Sequence, residues 1–84
     1  MNHDAVIELI ISELRKAEEK HPFWPEDFIH AVGIITEEVG EAMQEAIDWT
    51  YTDKRNINNL KKELAQTGAM AIRALMHLPD EEET

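Results

Sequence analysis

Apolar residues recur at helical spacing in three stretches of the chain, and no stretch shows the alternation expected of a strand. Val6, Ile7, Ile10, Ile11 and Leu14 predict a first helix from about Asp4 to Lys20, with Asp4 as its N-cap. Pro22 and Pro25, within His21-Pro22-Phe23-Trp24-Pro25, end that pattern, because a helix cannot run through two such closely spaced prolines. A second helix is expected from Pro25 or Glu26 to Thr50, since proline suits a first helical turn and Glu26 and Asp27 suit its dipole. Residues 51–56 read as a polar connection. A third helix follows from Ile57 or Asn58 to His77 and stops before Pro79.

Three helices with short links predict an all-α, antiparallel bundle formed as a single domain over residues 1–84. Residues 79–84, with Glu81-Glu82-Glu83, read as an acidic flexible tail. A chain of 84 residues has little core of its own. Oligomerisation, as a homodimer or a homotetramer, is therefore expected to complete a four-helix-type core. The third helix is apolar or small nearly all round and should be the central one. Gly33, Gly40 and Gly68 fall inside predicted helices, where each costs about 1 kcal/mol relative to alanine; close helix packing at these positions is the expected compensation.

Winding the second helix at about 100° per residue sharpens the picture. With Glu37 at 0°, Asp48 falls near 20°, Glu41 near 40°, Glu45 near 80° and Glu38 near 100°. The opposite arc holds Phe28, Ala31, Val32, Ile35, Val39, Met43, Ala46 and Ile47. Glu37–Glu41 and Glu41–Glu45 repel at i,i+4, and no lysine or arginine intervenes from Ile34 to Thr52. A cation seated against the acids would relieve that repulsion. Glu63 and Gln66 lie three apart near the start of the third helix, as Glu38 and Glu41 do on the second. Antiparallel packing can bring the four side chains to one point. Three carboxylates and one amide oxygen are hard donors that suit Mg²⁺ or Mn²⁺ and suit copper or structural zinc poorly.

Composition narrows the partners. Eighteen acids against eight bases leave a net charge of −10, which argues against a nucleic-acid backbone as ligand. A phosphorylated small molecule stays open, because a bound divalent cation reverses the local field. There is no cysteine, so neither disulfides nor thiolate-bound zinc enters. No apolar run approaches the roughly 20 residues of a membrane span, and Met1-Asn2-His3-Asp4 does not open a signal peptide. A cytoplasmic protein is expected, without membrane partners.

The motifs Glu37-Glu38-Val39-Gly40-Glu41 and Glu63-Leu64-Ala65-Gln66, separated by 21 residues, resemble the MazG-like family of all-α nucleoside triphosphate pyrophosphohydrolases. That family's pattern is Glu-Glu-x-x-Glu followed by Glu-x-x-Asp. The flanks Ala31–Thr36 and Ala69–Ala74 look similar too, so the resemblance covers Glu26 to Leu78. It implies Mg²⁺-dependent hydrolysis of a nucleoside triphosphate to monophosphate and pyrophosphate. Glu38, Glu41 and Glu63 would be metal ligands, and Glu37 a ligand or a base near the water. Gln66 departs from the pattern: its amide oxygen can still ligate, but it carries no charge and cannot serve as a base. A non-catalytic nucleotide-binding or dimerisation module on the same fold is the alternative.

Lys54, Arg55, Lys61, Lys62 and Arg73 are candidates for the outer phosphates, and Trp24 or Phe23 for stacking on the base. His21 and His30 are further candidates for base contacts. Glu18-x-x-His21 looks like half of a di-iron pair, but its second half is missing.

Overall fold

A computed structural model describes residues 1–80. It contains three helices: α1 (His3–Lys20), α2 (Phe28–Tyr51) and α3 (Ile57–His77). The all-helical class and the element order match the hydrophobic pattern. Two starts differ, and capping chemistry explains both. The Asn2 side chain, not Asp4, caps α1 by accepting the Ala5 N–H at 2.8 Å, and Asp4 falls in the first turn. Asp27 caps α2 by accepting the His30 N–H at 3.0 Å, which leaves Pro25 and Glu26 outside the helix. Asn56 caps α3 in the same way, through the Asn59 N–H.

α3 is central: α1 and α2 each pack on it and not on one another. α3 therefore lies between α1 and α2. Leu14, Ala69 and Met70 make the core, with Ile10, Ile11, Ala17, Trp24, Ile34, Ile35 and Ile72 packed around it. Of the expected glycine contacts, only that at Gly68 forms. A Cβ there would lie 3.3 Å from Ile10 Cδ1, so α1 and α3 meet closely at this point. Gly33 and Gly40 face open space.

α2 is not turned as a simple amphipathic reading expects. Ala31 and Ala42 are buried against α3, flanked by Ile34, Ile35, Glu38 and Glu45, so the boundary between the acidic and apolar arcs faces inward. Much of the apolar arc stays outside: Phe28, Val32, Val39, Met43 and Ile47 are exposed. On α3, Leu64 and Leu75 are exposed as well. Helical winding turns this apolar surface of α2 and α3 away from the Glu38, Gln66 and Arg73 side chains.

The radius of gyration is 14.6 Å, against about 12 Å for a compact domain of this length. No helix among the described residues is long and apolar enough to cross a membrane. The expected acidic tail lies, from residue 81 on, outside the described residues.

Candidate metal centre and its cleft

Glu38 and Glu41 sit one turn apart on α2, and Glu63 sits on the facing stretch of antiparallel α3. One carboxylate oxygen from each lies within 4.8 Å of the others. Glu38 and Glu63 are half-buried and Glu41 is exposed. Oε2 of Glu38 and Oε2 of Glu63 are both buried with no hydrogen-bond partner. Two orphaned carboxylate oxygens aimed at a third carboxylate are costly unless a proton or a cation sits among them.

The titration of the group says the same. The Glu63 carboxyl is pushed up to about 7, first by burial, then by the Glu41 carboxylate through a shared proton and its charge, and then by the charge of Glu38; Lys62 offsets part of this. Glu38 is raised too, by burial first, then by Glu41 and Glu37. Like charges at this separation do not all ionise unaided. The donor set fits a hard divalent cation, since it is all oxygen, anionic and partly dry. Gln66, one turn along α3 from Glu63, lines the cleft beside Glu38 and can add an amide oxygen.

That cleft has a volume of about 440 Å³, within the usual range for small-molecule sites. It runs over the face of α3 that carries Lys62, Gln66, Met70 and Arg73. Ile34 and Glu38 of α2 form one wall, and Glu13, Lys16, Ala17 and Lys20 of α1 the other. His21, Phe23 and Trp24 close the end away from the acids.

The sequence candidates divide here. Glu38, Glu41 and Glu63 come together, with Gln66, Lys62 and Arg73 along the same cleft. Glu37 is exposed beside Glu38 and outside the three-carboxylate cluster; Glu45 and Asp48, both half-buried, also lie outside it, and Asp48 accepts from the Gln44 amide at 3.0 Å. Lys54 sits in the α2–α3 connection, and neither it nor Arg55 or Lys61 lines the cleft. Arg55 lies instead over the Trp49 ring.

Trp24 borders the cleft, with the Arg73 guanidinium 5.0 Å from its ring centroid and the His77 ring stacked on it at 6.1 Å. Phe23 is 90% exposed at the mouth and has its ring free.

Comparison with protein-family models, with curated proteins and with solved structures gives no match.

The α1 wall escaped the sequence reading. Glu13, Lys16 and Lys20 carry no motif, and helical spacing alone reads them as a solvated face. One signal was available: Glu13 falls in the Ile10, Leu14, Ala17 row and is 7% exposed.

Proposed function

We propose that the protein is a Mg²⁺-dependent nucleoside triphosphate pyrophosphohydrolase, converting a ribo- or deoxynucleoside triphosphate to its monophosphate and pyrophosphate. The observation that carries this reading is the meeting of Glu38, Glu41 and Glu63 from two helices, with two buried oxygens unpartnered, at one end of a basic cleft. Convergence of those three residues is what the MazG-like resemblance of the two motifs requires, and Mn²⁺ would satisfy the same donors.

In this reading Glu38, Glu41 and Glu63 hold the cation, with the Gln66 amide beside them. Bound there, Mg²⁺ would supply the polarisation of water and the charge neutralisation that cleavage between the α- and β-phosphates needs. Glu37, exposed and adjacent to Glu38, would accept the proton of the attacking water. Gln66 orients that water and takes no proton. Lys62 and Arg73 face the phosphates, and Phe23 covers the base.

The exposed apolar surface of α2 and α3 supports a homodimer in which two such surfaces pack on each other, giving the four-helix core that one protomer lacks.

A second reading has one observation in its favour. Gln66 stands where the family pattern has aspartate, so the same fold and cleft would serve a module that binds a nucleotide without hydrolysing it.

The deciding experiment is pyrophosphate release from a panel of ribo- and deoxynucleoside triphosphates with Mg²⁺, run beside Glu41→Gln. Metal-dependent release that the variant loses is expected. If the folded, metal-loaded protein releases none from any substrate, the enzyme reading falls and the binding module stands.

A further inference from the structure

Half of the chain's cations gather in one place. Of eight lysines and arginines, Lys16, Lys20, Lys62 and Arg73 line the cleft, whereas among the described acids Glu13 and Glu38 alone do so. In a protein of net charge −10 this is a local inversion of sign, and it lies beside the acid cluster. Arg73 is its fixed member. The residue is 4% exposed, yet no carboxylate among the described residues pairs with it and its Nε is buried without a hydrogen-bond partner. One terminal nitrogen donates to the His21 carbonyl at 2.7 Å, and the guanidinium plane is held against Trp24. A buried, oriented and unpaired guanidinium calls for an anion.

α1 supplies the mobile members. Lys16 and Lys20 are one turn apart on the face opposite Glu38 and Ile34, and both are exposed. Lys16 leans towards Glu13 at 3.6 Å, a weak pairing that an incoming anion can replace. Glu63 and Arg73 are ten residues apart on α3, or about 15 Å along its axis. A ligand that meets the acid cluster through a cation at one end therefore has a separate anion-binding wall to meet further along.

We infer that Lys16 and Lys20 of α1, with the unpaired Arg73 of α3, form a binding site for the terminal phosphates of a polyphosphate and hold the leaving pyrophosphate. The identity of the ligand rests on the nucleotide reading above; the anion site itself needs neither turnover nor metal. The substrate class follows from the charge count. Three cations beyond the metal centre suit a triphosphate and are under-used by a monophosphate.

The test is calorimetric titration of inorganic tripolyphosphate into the metal-free protein, with a nucleoside monophosphate as the comparison. One tripolyphosphate per chain is expected, weakening as salt is raised, with the monophosphate binding at least tenfold more weakly. Lys16→Gln with Lys20→Gln should weaken tripolyphosphate about tenfold, at roughly threefold for each exposed charge. Both positions are on the surface of α1, so the fold is kept. Arg73→Lys should weaken it as well, since lysine keeps the charge but not the Nε donor or the plane. Glu41→Gln should retain binding, which separates this site from the metal centre even if no triphosphate is ever turned over. Absence of binding to the wild type, equal binding of the monophosphate, or unchanged affinity in the double lysine variant would each overturn the inference.

Discussion

At the scale of single residues, the Glu38, Glu41 and Glu63 group sets the pH behaviour. Glu63 titrates near 7 in the fold, well above the ordinary carboxyl value, and Glu38 is raised with it. The folded protein therefore binds protons more tightly than the unfolded chain does. That contribution to stability is complete below the ordinary carboxyl range and is lost as pH rises through about 7. The melting temperature of the metal-free protein should fall between pH 5 and pH 7.5, the fall should be largely absent in Glu63→Gln, and millimolar Mg²⁺ should reverse it at the upper end. A metal-free melting temperature that climbs over this interval would contradict the account. Metal affinity should run the opposite way, rising with pH, because the cation competes with the protons. The acids themselves were legible in the sequence, through their spacing and the missing lysines on α2. That Glu38 and Glu41 meet Glu63 was read from their spacing and the motif resemblance and not from winding, which ranks directions but cannot say which direction faces α3.

Among the elements, α2 shows where pattern reading stops. Its limits came within a few residues of the expectation, yet Phe28, Val32, Val39, Met43 and Ile47 lie outside and Glu38 and Glu45 border the packed face. A period of 3.6 finds the apolar stripe; whether that stripe meets a helix of the same chain or of another is a tertiary matter. The glycines make the point testable. Gly40 faces open space inside a helix, so Gly40→Ala should stabilise the fold by up to about 1 kcal/mol. Gly68→Ala gains the same propensity but sets a methyl 3.3 Å from Ile10 Cδ1, where α1 must give way. Thermal or urea melts should place Gly40→Ala above Gly68→Ala. The reverse order would mean that α1 and α3 do not approach at Gly68 as described. α1 is the element whose role was least visible beforehand. Its lysines acquire meaning only once α3 brings Arg73 opposite them.

For the whole molecule, the ratio of surface to core decides. Among the described residues the large buried apolar side chains are Leu14 and Met70, the rest of the core being alanine, and the molecule extends 51 Å in its longest dimension. The cleft takes one side of the central α3, and exposed apolar side chains of α2 and α3 lie away from it. Light scattering should give a particle of twice the 9.7 kDa protomer mass. Met43→Glu together with Val39→Glu should shift it to the monomer and lower the melting temperature, since charges would then occupy the joined surface. A monomeric wild type would sink the dimer while leaving the cleft untouched. The contacts of Trp24 with Arg73 and His77 have a different consequence for the molecule in solution. An indole packed against a guanidinium and an imidazole emits according to the field of both neighbours. Occupation of the cleft by an anion would relax one of them, so the protein carries its own optical gauge of ligand binding, with Trp49, out by the α2–α3 connection, as the steady background.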